Sequence, residues 1–213
     1  MLDWLFGSRG AEVGNRASTS TDSDSLLKQA TVQKRGGDIE AAIRTLRLAY
    51  KQIARGITTY SVGTFLRLPL YLQEAGRNDE AWAEFNRLII EGYPNQLRDF
   101  SVQTMEHSKI YDKMRLFLHR EGKNDEAIVF GVLSMLAWAR GLHLQKRKGE
   151  LAKLVSRNCI EATLKPLLKK AKKTARSDEL VVLIVHEVRD HSHLDLSGAA
   201  KRIRELIGKT ASG

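Results

Sequence analysis

The sequence predicts an all-α chain of antiparallel helix pairs stacked as a short solenoid with a C-terminal helical extension, and three observations predict it. The hexamer G-(R/K)-N-D-E-A is written twice, from Gly76 to Ala81 and from Gly122 to Ala127, each time opening an apolar-periodic run. A looser copy, GDIEAA, starts at Gly37. From Leu26 onward apolar residues recur at steps of three and four almost throughout, the period of a helix lying on a core.

Composition sets the outer bounds. A chain of 213 residues, 42% hydrophobic and 28% charged, buries a core as one domain, with or without a tail. The single cysteine, Cys159, excludes a disulfide framework and the Cys-rich zinc patterns and fits a reducing cytoplasm. No uninterrupted apolar run approaches the roughly 20 residues that span a bilayer. The opening MLDWLFGSRG has a short apolar core, an acidic Asp3 and no basic leading region, which argues against a secretory signal.

Residues 1–25 read as a flexible segment. From Ser8 to Ser25 the chain is rich in Gly, Ser, Thr and Asp, too poor in apolar surface to offset its ordering entropy. It leaves Leu2, Trp4, Leu5 and Phe6 as an apolar tag, which either packs back on the domain or serves as a docking peptide or weak membrane contact.

Residues 26–140 carry the repeated units, each a helix, a tight turn and a second helix. In the second unit Phe65, Leu68, Leu72 and Ala75 share a face, Gly76 stops the helix, and Asn78 is the expected N-cap with Asp79 and Glu80 in the first turn. Pro69 falls inside that first helix and should start a turn or kink it. Ala81, Phe85, Leu88 and Ile89 line the next helix, which Gly92 and Pro94 end. The third unit repeats this with Tyr111, Met114, Leu118, a stop at Gly122, a cap at Asn124, then Ala127, Phe130, Gly131 and Ser134.

In residues 141–213 Thr163 reads as a helix cap, with Pro166 tolerated in the first turn. Leu164, Leu167, Leu168, Ala171 and Ala175 form one face, and Lys165, Lys169, Lys172 and Arg176 the opposite stripe. SDELVVLIVHEVR is β-branched enough for a strand, yet Ser177 as a cap and the four-residue step of Leu180, Ile184 and Val188 favour a buried helix. A last helix with Ala200, Ile203, Leu206 and Ile207 is expected to cover the open end of the stack.

The units resemble tetratricopeptide repeats, which place a Gly at the inter-helix turn, a small residue five further on, a large apolar residue four after that and a small residue three later. Gly37, Ala42, Leu46 and Ala49 match, as do Gly76, Ala81 and Phe85, with Leu88 where a small residue is usual. Gly122 and Ala127 match, while Gly131 and Ser134 replace the last two. Small residues at these places let paired helices approach to the short end of the usual range of about 8–10 Å. The turn glycines lie 39 and 46 residues apart, longer than the family repeat of about 34, and its first-helix Trp and Tyr are absent from their usual places.

No motif for catalysis meets its mechanical need. There is no phosphate loop, dinucleotide fingerprint or nucleophile elbow. In HEVRDH, His186 and His191 are five apart, about 140° round a helix and off a common face. His191 and His193 after Asp190 would need a loop to meet at a metal. Cys159 has no histidine tied to it by sequence, and the acidic pairs Asp79–Glu80 and Asp125–Glu126 suit helix N-termini. No enzyme activity, cofactor or metal is expected.

Two kinds of binding remain. The resemblance implies an adaptor or scaffold whose first helices line a groove for a peptide or helix of another protein. It puts the groove at Lys34, at Leu66, Leu70 and Gln73, and at Lys109, Asp112, Leu116 and His119; a homo-oligomer that extends this surface is compatible with so few units. The alternative rests on charge. Twelve Lys and Arg against two acidic residues lie between Arg140 and Arg176, and the rest of the chain is balanced. Lys165, Lys169, Lys172, Lys173 and Arg176 would then contact nucleic acid or another anionic surface, although no aromatic residue stands ready there to stack on bases.

Overall fold

The repeated glycine becomes a repeated helix stop. In the computed structural model, which describes residues 20–189 and 195–208, Gly76 and Gly122 stand at φ +73° and +75°, a left-handed backbone that costs a residue with a Cβ about 1–2 kcal/mol. The Gly76 N–H donates to Gln73 O and the Arg77 N–H to Leu72 O; Gly122 and Lys123 donate likewise to His119 O and Leu118 O. This pair of bonds closes a helix in the Schellman manner. Gly37 and Asp38 repeat it. So do Lys146 with Arg147 and Lys172 with Lys173, where a lysine rather than a glycine takes the positive φ, +57° and +58°.

The closures set the element boundaries. Helix α1 spans Ser20–Arg35, α2 Ile39–Arg55, α3 Val62–Phe65, α4 Arg67–Glu74, α5 Asn78–Ile90, α6 Phe100–Arg120 and α7 Asn124–Leu144. They are followed by α8 Lys148–Leu154, α9 Arg157–Ala171, a 3-10 turn Thr174–Arg176, α10 Ser177–Arg189 and α11 Leu196–Gly208. The described residues hold no strand, so SDELVVLIVHEVR is helical. The fold is all-α.

Several boundaries differ from the sequence reading, each for a local reason. Helix α1 starts six residues before Leu26, so 20–25 belong to it, held by Asp22 to Gln52 Nε2 at 2.7 Å and Asp24 to Tyr60 Oη at 2.9 Å; the rest of the expected linker lies outside the described residues. Asn78 and Asn124 are first residues of their helices. The caps are Arg77 and Lys123, neither of which makes a side-chain capping bond, because the Schellman closure already sets that residue between the helices. Thr163 does not cap: Ser156 caps α9 by accepting from the Cys159 N–H, and Thr163 Oγ1 donates to Cys159 O. Pro166 therefore sits inside α9. The helix ends at Ala171, which leaves Ala175 exposed and the basic stripe broken after Lys169.

Pro69 behaves as its chemistry demands. The first helix of that unit breaks at Leu66, and Pro69 falls in the first turn of α4, where a missing N–H is harmless.

Consecutive helices pack across the short turns, α1 with α2, α4 with α5 and, most extensively, α6 with α7. Ala42, Ala81 and Ala127 are fully buried at these contacts. Between α6 and α7, Ser134 Oγ donates to Ser108 O at 2.9 Å, and Gly141 lies so close to Met105 that a Cβ would come within 2.3 Å of its Cγ. Helix α7 touches α6, α8, α9, α10 and α11. Its 21 residues are long and apolar enough to cross a membrane by length and composition, and 72% of its 18-residue apolar window is buried inside the molecule. It is the central helix of the core, and Phe65, Phe85, Leu46, Ile110 and Ile160 join it in one cluster. Each such side chain contributes about 1.5–3 kcal/mol by leaving water. Glu187, buried on α10, accepts both N–H groups of Arg202 on α11 at 2.7 and 2.9 Å, a bidentate pairing that satisfies a buried charge.

Candidate partner-binding surface

Side-chain bonds join α1 to α4 and α4 to α6. Arg67 on α4 donates to Leu27 O at 2.9 Å and to Thr31 Oγ1 at 2.8 Å, both on α1. Lys34 on α1 pairs with Glu74 at 3.0 Å, its ammonium 5.6 Å from the centre of the Tyr71 ring. Gln73 then donates to Phe117 O on α6 at 3.0 Å and accepts from Arg120 at 3.0 Å. Half-exposed pairs of this kind contribute about 0–1 kcal/mol each; their effect is register. The second helices have their own ties, Arg47 to Glu80 and Arg77 to Glu40, each at 3.0 Å. Bonds from Arg77 and then Arg47 hold the Glu80 carboxyl down to about 2.

The groove residues named from the sequence fall into three groups. Lys34 and Gln73 are the ties just described. Leu66 is a correction: it is 3% exposed, because the break between α3 and α4 turns it into the core and away from any partner. Leu70 and Leu116 are partly buried and Lys109 partly exposed. Asp112 accepts two bonds from Arg115 at 2.9 and 2.7 Å, and His119 Nδ1 lies 2.9 Å from Asn124 Oδ1. Burial lowers the His119 pKa, and the nearby Lys170 and Arg115 charges add to that against the Asn124 bond. The imidazole is thus held neutral more firmly than a free histidine.

Open clefts run beside the turns. One, about 660 Å³, is lined by Gln73, Glu74, Asn78, Arg120, Glu121 and Lys123. A smaller recess beside it has Trp82, Phe117 and Leu118 with Asp79 and Glu121. Trp82 stands edge-on to Phe130 with centroids 5.5 Å apart. One Glu121 oxygen meets Lys123 Nζ at 2.8 Å; the other is buried with no hydrogen-bond partner among the described residues. Sequence reasoning missed Trp82, Arg120 and Glu121. Trp82 is off the Ala81, Phe85, Leu88 face, and an aromatic beside a periodic stripe was the available signal.

The basic segment divides in two. Arg147 pairs with Glu150, Arg157 with Glu161 and Asp178, Lys173 with Asp125, and Arg176 with Glu179. Lys173 also donates to Ile207 O at 3.1 Å. Lys165, Lys169, Lys170 and Lys172 are exposed and form no ion pair among the described residues. Lys170 and Lys172 border a third cleft with residues Gly122 to Glu126.

Among the described residues no three His, Cys, Asp or Glu side chains gather to hold a metal ion; His191 and His193 lie outside them. Cys159 is half-buried on α9. No family model, curated protein or solved structure matches the chain.

Proposed function

We propose that the chain is a non-enzymatic scaffold: its helix pairs stack antiparallel as a short tetratricopeptide-like solenoid, and its first helices present a surface to a peptide or helix of a partner protein. The observation that carries this reading is the row of α1, α4 and α6, cross-tied by Arg67, Lys34, Gln73 and Arg120. Side chains that fix the spacing of neighbouring first helices give an extended surface of constant shape, which is what recognition of a long segment needs. Ser108 opposite Ser134, with Met105 against Gly141 further along, supports the antiparallel pairing. Leu70 and Leu116 supply apolar contact, with Lys109, Asp112 and His119 as its polar surround.

A second reading has its own observation, the four exposed lysines of α9 and its end that form no ion pair among the described residues. Exposed lysines of this kind are available to phosphates, whose counterions they release. A mobility-shift titration at two salt concentrations, with Lys165, Lys169, Lys170 and Lys172 changed together to Glu, separates the readings. The scaffold predicts only weak binding that the reversal scarcely changes. Micromolar binding at physiological salt that disappears in the variant, and that falls by about 0.9 in log K per neutralised phosphate per decade of salt, makes the chain a nucleic-acid binder instead.

A further inference from the structure

One end of the molecule carries apolar surface that nothing among the described residues covers. Asn95 Nδ2 donates to Ile53 O at 2.9 Å, Gly56 O at 3.0 Å and Thr58 O at 3.2 Å, which joins the connection after α2 to the connection after α5. Ile57, enclosed by those carbonyls in sequence, is 80% exposed, Leu97 53% and Phe100 56%. Gln103 Nε2 reaches back to Leu97 O. Arg140 lies over one face of the Phe100 ring at 5.2 Å, leaving the rest of the ring to solvent. A bond from Gln145 to Ser101 brings Leu144, 41% exposed, to the same end. Isolated exposed apolar residues are ordinary, whereas a run of them on adjoining connections marks an interaction surface.

The start of α1 sits at this end too. Asp22 is bonded to Gln52 and Asp24 to Tyr60, three residues from Ile57. The nineteen residues before Ser20 include Leu2, Trp4, Leu5 and Phe6, more large apolar side chains than any other part of that stretch. Thirteen residues separate Phe6 from Ser20. Fully extended they reach at most about 45 Å, and as a random coil their ends lie about 20 Å apart, so the strip is within reach. Arg55, the last residue of α2, and Arg98, on the connection after α5, are exposed, of opposite charge to Asp3.

We propose that the apolar tag Leu2, Trp4, Leu5 and Phe6 docks in cis on the strip formed by Ile57, Leu97, Phe100 and Leu144. Tethering holds the tag at an effective concentration of the order of millimolar, so even a contact of millimolar affinity is populated about half of the time. The surface lies away from the clefts beside the turns, so this docking is independent of the groove.

Fluorotryptophan NMR of the full chain tests it. The Trp4 resonance is assigned with Trp4→Phe and compared with that of the synthetic peptide MLDWLFGSRG. Docking predicts a Trp4 line displaced from the peptide position, unchanged on tenfold dilution. Leu97→Ser and Phe100→Ser, both at exposed sites, return it to the peptide position while circular dichroism stays the same. A Trp4 line at the peptide position in the unaltered chain overturns the proposal. So does a displacement that dilution abolishes, which means docking between copies, or one that both serine variants leave intact, which means a different seat.

Discussion

Gly131 on α7 and Leu167 on α9 compete for one volume: a Cβ at Gly131 would lie 2.6 Å from Leu167 Cδ1 and 3.2 Å from Arg115 Cδ. A side chain from the C-terminal region fills the space that a larger residue at 131 would need. Gly131→Leu is expected to cost about 1–3 kcal/mol by overpacking, and Leu167→Ala about 2–5 kcal/mol by leaving a cavity. Denaturant unfolding of both variants and their combination should show a double variant less destabilised than the sum. Strict additivity would mean that the two side chains do not share the site.

The five Schellman closures make opposite forecasts at glycine and lysine. Gly76→Ala and Gly122→Ala should each cost about 1–2 kcal/mol, since alanine must adopt the left-handed backbone. Lys146→Gly, at an exposed position with φ +57°, should gain about 0.5–1 kcal/mol for the reciprocal reason. Thermal melts of the three single variants decide this, and a Lys146→Gly chain less stable than its parent would contradict it.

The same closures explain how far the sequence could be read. The all-α class and the first three turns were legible because Gly37, Gly76 and Gly122 announce the left-handed residue on which each turn depends. The turns at Lys146 and Lys172 were not, because lysine carries no such signal. The cap at Asn78 was misplaced by one residue for a related reason: a two-bond closure takes over the work of a side-chain cap, and propensity alone cannot tell which device is used. At the surface, the resemblance named Lys34 and Gln73, but their bonds to Glu74 and Phe117 O join helices distant in sequence, which no spacing within one unit encodes. Leu66 was misjudged because the break before α4 rotates it inward.

Stability should fall as the solution is acidified from neutrality. Burial lowers the pKa of His107, against the opposing charge of Glu106, and burial followed by Lys170 and Arg115 lowers that of His119. The fold therefore favours the neutral form of both more than the unfolded chain does. As pH drops through the ordinary histidine value of about 6.5 the unfolded chain takes up protons that the folded chain refuses, so stability present above that pH is lost below it. Melting temperatures between about pH 7.5 and 5.5 should decline, and His107→Gln with His119→Gln should flatten the decline. An unchanged slope in the double variant would place its origin elsewhere.

The central claim is that a partner polypeptide is recognised on the row of first helices. Photo-crosslinking in the cells of origin tests it most directly, with a photoreactive amino acid placed at Leu116 on α6 in one chain and at Lys169 on α9 in another. The account predicts that Leu116 captures one defined polypeptide and that changing Lys109, Asp112 and His119 together to Ala abolishes the capture, while changing Lys165, Lys169, Lys170 and Lys172 to Glu leaves it at Leu116 largely intact. Nucleic acid or lipid captured from Lys169, with nothing captured from Leu116, would contradict it.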